Sequence, residues 1–111
     1  MLIEPIVLNY LKANMDVPIY LDMPDNLPKK FVIFTIVDRG RKNFINHVTI
    51  EFHSYAEKKL DAAEIDERVR MLMEDIILLP EIAASRLGGG NDLNDPQINK
   101  YRYRCYFNLT Y

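Results

Sequence analysis

The chain has 111 residues, of which 49% are hydrophobic and 27% charged, with a formal net charge of −2. That length fits a single domain, residues 1–111, with one core. The charge argues against a free-standing nucleic-acid binder, which is usually clearly basic, and is too mild for a disordered acidic tail.

Residues 4–14 read as a short helix, with Pro5 at a first-turn position and Ile6, Val7, Tyr10 and Leu11 at helical spacing. Pro18 to Leu21 is a short extended piece, and the proline at its start suits an edge strand. Residues 22–30 have loop composition, with Pro24, Asp25, Asn26 and Pro28. Residues 31–38 form a strand with two apolar faces, Phe31, Ile33 and Val37 against Val32, Phe34 and Ile36. Residues 39–46 connect it to the next strand. Gly40 provides the turn, with Arg39, Arg41 and Lys42 around it, and the length predicts a projecting tip.

In the strand 47–53, Val48, Ile50 and Phe52 share one face, and His47, Thr49, Glu51 and His53 the other. Ser54 and Glu57 have the spacing of a capping box. A long helix over about 55–79 follows. Its stripe is Ala62, Ile65, Val69, Leu72, Ile76 and Leu79, and Pro80 stops it. The pairs Glu64–Arg68 and Asp66–Arg70 place acid four residues before base. Residues 81–87 are open between strand and helical turn. Gly88, Gly89 and Gly90 are expected to break regular structure, and residues 91–99, with Pro96, to form a polar loop. The final stretch, 101–111, alternates as a strand. Tyr101, Tyr103, Cys105, Phe107, Leu109 and Tyr111 share one face; Arg102, Arg104, Tyr106, Asn108 and Thr110 share the other. The fold class is therefore α+β. A mainly antiparallel sheet of about four strands carries the long helix and a short N-terminal helix.

Little in this pattern carries chemistry. His47 and His53 lie about 20 Å apart along a strand, too far to share one metal ion. The lone cysteine, Cys105, excludes an intrachain disulfide and reads as a small buried hydrophobe. The Gly88–Gly90 run lacks the Lys-Ser/Thr of a phosphate-cradling loop. No catalytic, cofactor or metal residues are expected, and no enzyme. The N-terminal Met-Leu-Ile-Glu-Pro has no basic n-region and no window reaches transmembrane length, so cytoplasmic synthesis without membrane contact is expected. The tyrosines, phenylalanines and two-faced strand suggest an aromatic patch at a protein–protein interface.

The order of elements resembles the tail-completion proteins (tail terminators, or head-to-tail joining proteins) of long-tailed bacteriophages. The resemblance is carried by a short helix, Pro-Ile-Tyr-Leu, then His-Val-Thr-Ile-Glu-Phe-His-Ser-Tyr running into a helix, and a final Arg-Tyr-Arg-Cys-Tyr-Phe-Asn-Leu-Thr-Tyr. It covers nearly the whole chain, most specifically residues 47–69 and 101–111. It implies a homo-oligomeric ring, a hexamer, capping the head-proximal end of the tail tube in the virion. The implied partners are the tail tube protein and the head or neck connector, with DNA only as passing cargo and no cofactor. Projection singles out Arg39, Arg41, Lys42 and Phe44, and the loop residues Gly88, Gly89, Gly90, Asn91 and Asp92, as interface candidates. Two other readings stay open: a head-completion or neck adaptor protein, and a small α+β nucleic-acid-binding or regulatory domain.

Overall fold

The computed structural model describes residues 2–95 and 100–111. The elements are α1 (Ile3–Asn14), β1 (Ile19–Tyr20), β2 (Lys30–Lys42), β3 (Ile45–Ala56), α2 (Lys59–Asp75), a 3-10 turn (Ile76–Leu78), β4 (Ala84–Asp95) and β5 (Lys100–Thr110). The five strands form one sheet in the order β1-β2-β3-β5-β4. Among the described residues, only the β1–β2 pairing is parallel. The fold is α+β, as the periodicities imply, with one strand more than expected.

Both helices lie on one face of the sheet. Val48, Ile50 and Phe52 of β3 and Cys105, Phe107 and Leu109 of β5 are buried there against Ala62, Ile65, Val69, Leu72 and Ile76. Phe34, Phe52 and Phe107 line up across three strands, with ring centroids 5.7 and 6.2 Å apart. Burying each such side chain contributes roughly 1.5–3 kcal/mol, so this row anchors the sheet to its helices. Tyr10 fastens α1 to α2, its hydroxyl donating to the Leu72 carbonyl at 2.6 Å. On the opposite, helix-free face, Phe31, Ile33 and Tyr55 form a second small cluster; Phe31 and Tyr55 stack at 4.7 Å. The two apolar faces of β2 are thus both buried from Phe31 to Phe34, one under helices and one among its own aromatic neighbours, while Val37 further along is 52% exposed.

Four expectations are corrected. The helix begins at Lys59, not near 55, and its last turn is 3-10. Ser54 does not cap it, because β3 runs on to Ala56 and Ser54 pairs with Val32 and Tyr103 on either side. Ladder bonds on both sides outcompete a local cap. Arg70 does bond Asp66 at 2.8 Å, but Arg68 reaches the Asn14 carbonyl at 3.2 Å and leaves Glu64 alone. The residues expected to form a loop, Gly88 to Asp95, are strand β4, paired along β5 from Ala84↔Thr110 to Asp95↔Lys100. Pro96 and the rest of that expected loop lie outside the described residues.

Candidate interface

The β2–β3 register runs unbroken at its end to Lys42↔Ile45, leaving a two-residue turn, Asn43–Phe44. The expected long connection over 39–46 is therefore a tight hairpin. Its central φ angles are +53° and +66°. Positive φ at both positions is what a type I′ turn demands, and it matches the twist of the flanking strands. Asparagine adopts this backbone readily, whereas a bulky residue there is a strained outlier. Phe44 is nonetheless 88% exposed, with the Arg41 guanidinium 5.6 Å from its ring. Ile45 beside it is also exposed.

A bulge at Val37 sets which way the basic residues face. Ile36 pairs with Ile50 but Asp38 pairs with Thr49, so one extra residue shifts the alternation. Arg39 thereby falls opposite Val48, on the helical side, where it pairs with Glu4 of α1. Arg39 is anchored to its own molecule. Arg41, Lys42 and Phe44 remain as the exposed tip. No sequence signal announces the bulge.

Gly88–Asp92 do not project. Gly88 and Gly89 form a bed for the Tyr106 ring, which lies where a β-carbon on Gly88 would come within 2.6 Å of it. Gly90 lies beneath Arg70 on the other face. Asn91 accepts from Arg104 Nε at 3.2 Å, and Asp92 stands opposite Tyr103 in the ladder. The glycines are there for close packing within a strand.

The helix-free face carries a cluster that single-strand reading does not reveal. His53 Nε2 meets Glu51 at 2.7 Å, and Arg104 reaches the same Glu51 oxygen at 3.9 Å. Arg102 donates to the Tyr55 hydroxyl at 3.3 Å and lies 5.9 Å from its ring centroid. The Tyr-Arg-Tyr-Arg run separates its own tyrosines from its arginines. The register with β3, however, sets both arginines beside Tyr55 and His53. Burial lowers the His53 pKa below its ordinary value, and Arg102 and Arg104 push the same way against Glu51. His53 is therefore neutral at neutral pH. On the helical side, Asp66 and Arg70 sit against Cys105. Burial raises the Asp66 carboxyl and, together with Asp66, pushes the Cys105 thiol up to about 12.

Among the described residues, no three His, Cys, Asp or Glu side chains are grouped to hold a metal ion. No helix among them is long and apolar enough to cross a membrane. A cleft of about 520 Å³ lies between Met15–Pro18, Pro28–Lys30 and the start of α2. It is lined by Asp16, Asp61 and Glu64 and by Lys29, Lys30 and Arg68, of which Lys30 and Asp61 approach at 3.9 Å. No family model and no curated protein matches the chain.

Proposed function

We propose that this chain is the subunit of a tail-completion ring of a long-tailed bacteriophage, a structural protein that caps the head-proximal end of the tail tube and offers the surface on which the filled head docks. The resemblance in element order supports this reading. The observation that carries it is the hairpin tip: an aromatic side chain held 88% exposed on a backbone where glycine would be easier. Such a residue is kept for contact with another molecule. Arg41 and Lys42 flank it and favour an acidic neighbour.

Electron microscopy of particles from a phage or prophage with this gene disrupted tests the proposal. The expected result is DNA-filled heads beside separate tails of irregular or excessive length. Filled heads beside tails of normal length would move the subunit to the neck adaptor position. Intact, infectious virions would remove the phage-joining reading altogether.

A further inference from the structure

The tip needs a surface to meet, and α2 carries one. Its core stripe faces the sheet. On the opposite side Leu60, Glu64, Glu67, Met71, Glu74 and Leu78 follow one another at steps of three and four, so they form a second, outward stripe. All six are exposed; Leu60 is 71%, Met71 52% and Leu78 81% accessible. None of the three glutamates is in an ion pair among the described residues, since Arg68 and Arg70 are turned to Asn14 and Asp66. The stripe is apolar and anionic. The tip, Phe44 and Ile45 with Arg41 and Lys42, is apolar and cationic.

We infer that the β2–β3 tip of one copy docks on the outward α2 stripe of a second copy, with Phe44 against Met71 and its apolar neighbours and Arg41 and Lys42 against Glu64, Glu67 and Glu74. The tip ends the hairpin along the strand direction, while the stripe faces away from the sheet. One molecule therefore cannot satisfy both with itself. Because the two surfaces differ, the contact is head-to-tail, and repeating it closes a ring or extends a filament. Apolar anchoring supplies affinity, and opposite charge sets partner and orientation. The inference deepens the ring reading and rests on it for its biological setting, but self-association can be measured in the isolated protein.

Cysteine cross-linking makes the test. Chains carrying Asn43→Cys, beside Phe44, are mixed with chains carrying Asp75→Cys, beside the Met71 stripe, under mild oxidation; both positions are exposed, the apolar anchors stay in place, and the native Cys105 is buried. A disulfide-linked heterodimer is expected, roughly tenfold more abundant than with a Leu21→Cys control chain, the factor that a modest preferred contact supplies. Glu64→Lys with Glu67→Lys should abolish the excess, and Arg41→Glu with Lys42→Glu on the partner chain should restore it. Thermal melts establish that each variant is folded. Equal cross-linking to the control, or an excess indifferent to the charge changes, overturns the docking. Association without that preference leaves the ring reading intact, whereas intact virions from the gene disruption would remove the ring reading and leave the cross-link to stand by itself.

Discussion

A β-carbon on Gly90 would stand 2.5 Å from the carbonyl oxygen of Arg104 on the neighbouring strand. The obstructing atom is backbone in the middle of the β4–β5 ladder, so it cannot swing aside. Gly90→Ala is expected to destabilise the fold by about 1–3 kcal/mol, the range for forced overpacking. For a domain of this size that lowers Tm by about 4–8 °C per kcal/mol. Gly40 is the control, since a β-carbon there meets nothing within 4 Å. Gly40→Ala should be neutral or slightly stabilising. Thermal denaturation of the two variants decides the point.

Phe44→Gly separates stability from function. It converts the turn to Asn-Gly, the sequence best suited to positive φ at both positions. Relief of the strained backbone should raise stability by about 1 kcal/mol, readable as a higher urea midpoint. Self-association should fall in the same variant, and, on the proposed function, virion assembly with it. A variant both less stable and fully competent would overturn this account of the tip.

Acid should loosen the helix-free face through His53. The unfolded chain has the ordinary histidine pKa of 6.5, and the folded value is lower, chiefly through burial. The unfolded state thus binds more protons in this window. His53 contributes stability that is present above pH 6.5 and is lost as the pH falls through the folded pKa. Asp66, raised by burial, has the opposite sign and acts at lower pH, nearer the carboxylate range. His53→Gln should therefore flatten the fall in urea midpoint on going from neutral to mildly acidic pH.

Cys105 should be inert in the native state. It is fully buried, with its thiol pushed up to about 12. Thiolate is the reactive form, so modification must wait for opening of the fold. Mass spectrometry after maleimide treatment should find the native protein unmodified and the urea-unfolded protein singly labelled. Native labelling at the rate of a free thiol would contradict the placement of Cys105 under α2.

Removing the Tyr10 hydroxyl tests the link between the helices. Tyr10→Phe leaves the Leu72 carbonyl without its 2.6 Å donor. A cost of about 1 kcal/mol is expected in chemical denaturation, typical of one internal hydrogen bond.

The elements with one wet face were legible in the sequence. Val48, Ile50 and Phe52, and the stripe from Ala62 to Ile76, are buried as their periods indicate, because a shift by one residue would turn each set to water. Gly88–Gly90 read as a breaker because composition shows what glycine permits, not what lies on it. The ring that fills their space, Tyr106, comes from a different strand. The bulge at Val37 left no mark, since its register depends on the partner strand. Of the interface candidates, Arg41, Lys42 and Phe44 were legible as part of a basic connection, but Gly40, expected to make its turn, is a paired strand residue and the turn lies at Asn43–Phe44. The tightness of that turn was not, because phenylalanine at its second position runs against the usual Asn-Gly preference. The cluster of His53, Glu51, Arg102 and Arg104 required the pairing of β3 with β5, which no single strand encodes.

The ladder that continues to Lys42↔Ile45 has a kinetic consequence. A floppy connection over residues 39–46 would have to surrender its chain entropy on meeting a partner. A hairpin whose bonds are already made gives up little more than the freedom of a few side chains. The tip is preorganised. Its encounters should then be limited by diffusion and charge rather than by folding, so that added salt slows association by screening Arg41 and Lys42 while leaving the rate of release nearly unchanged.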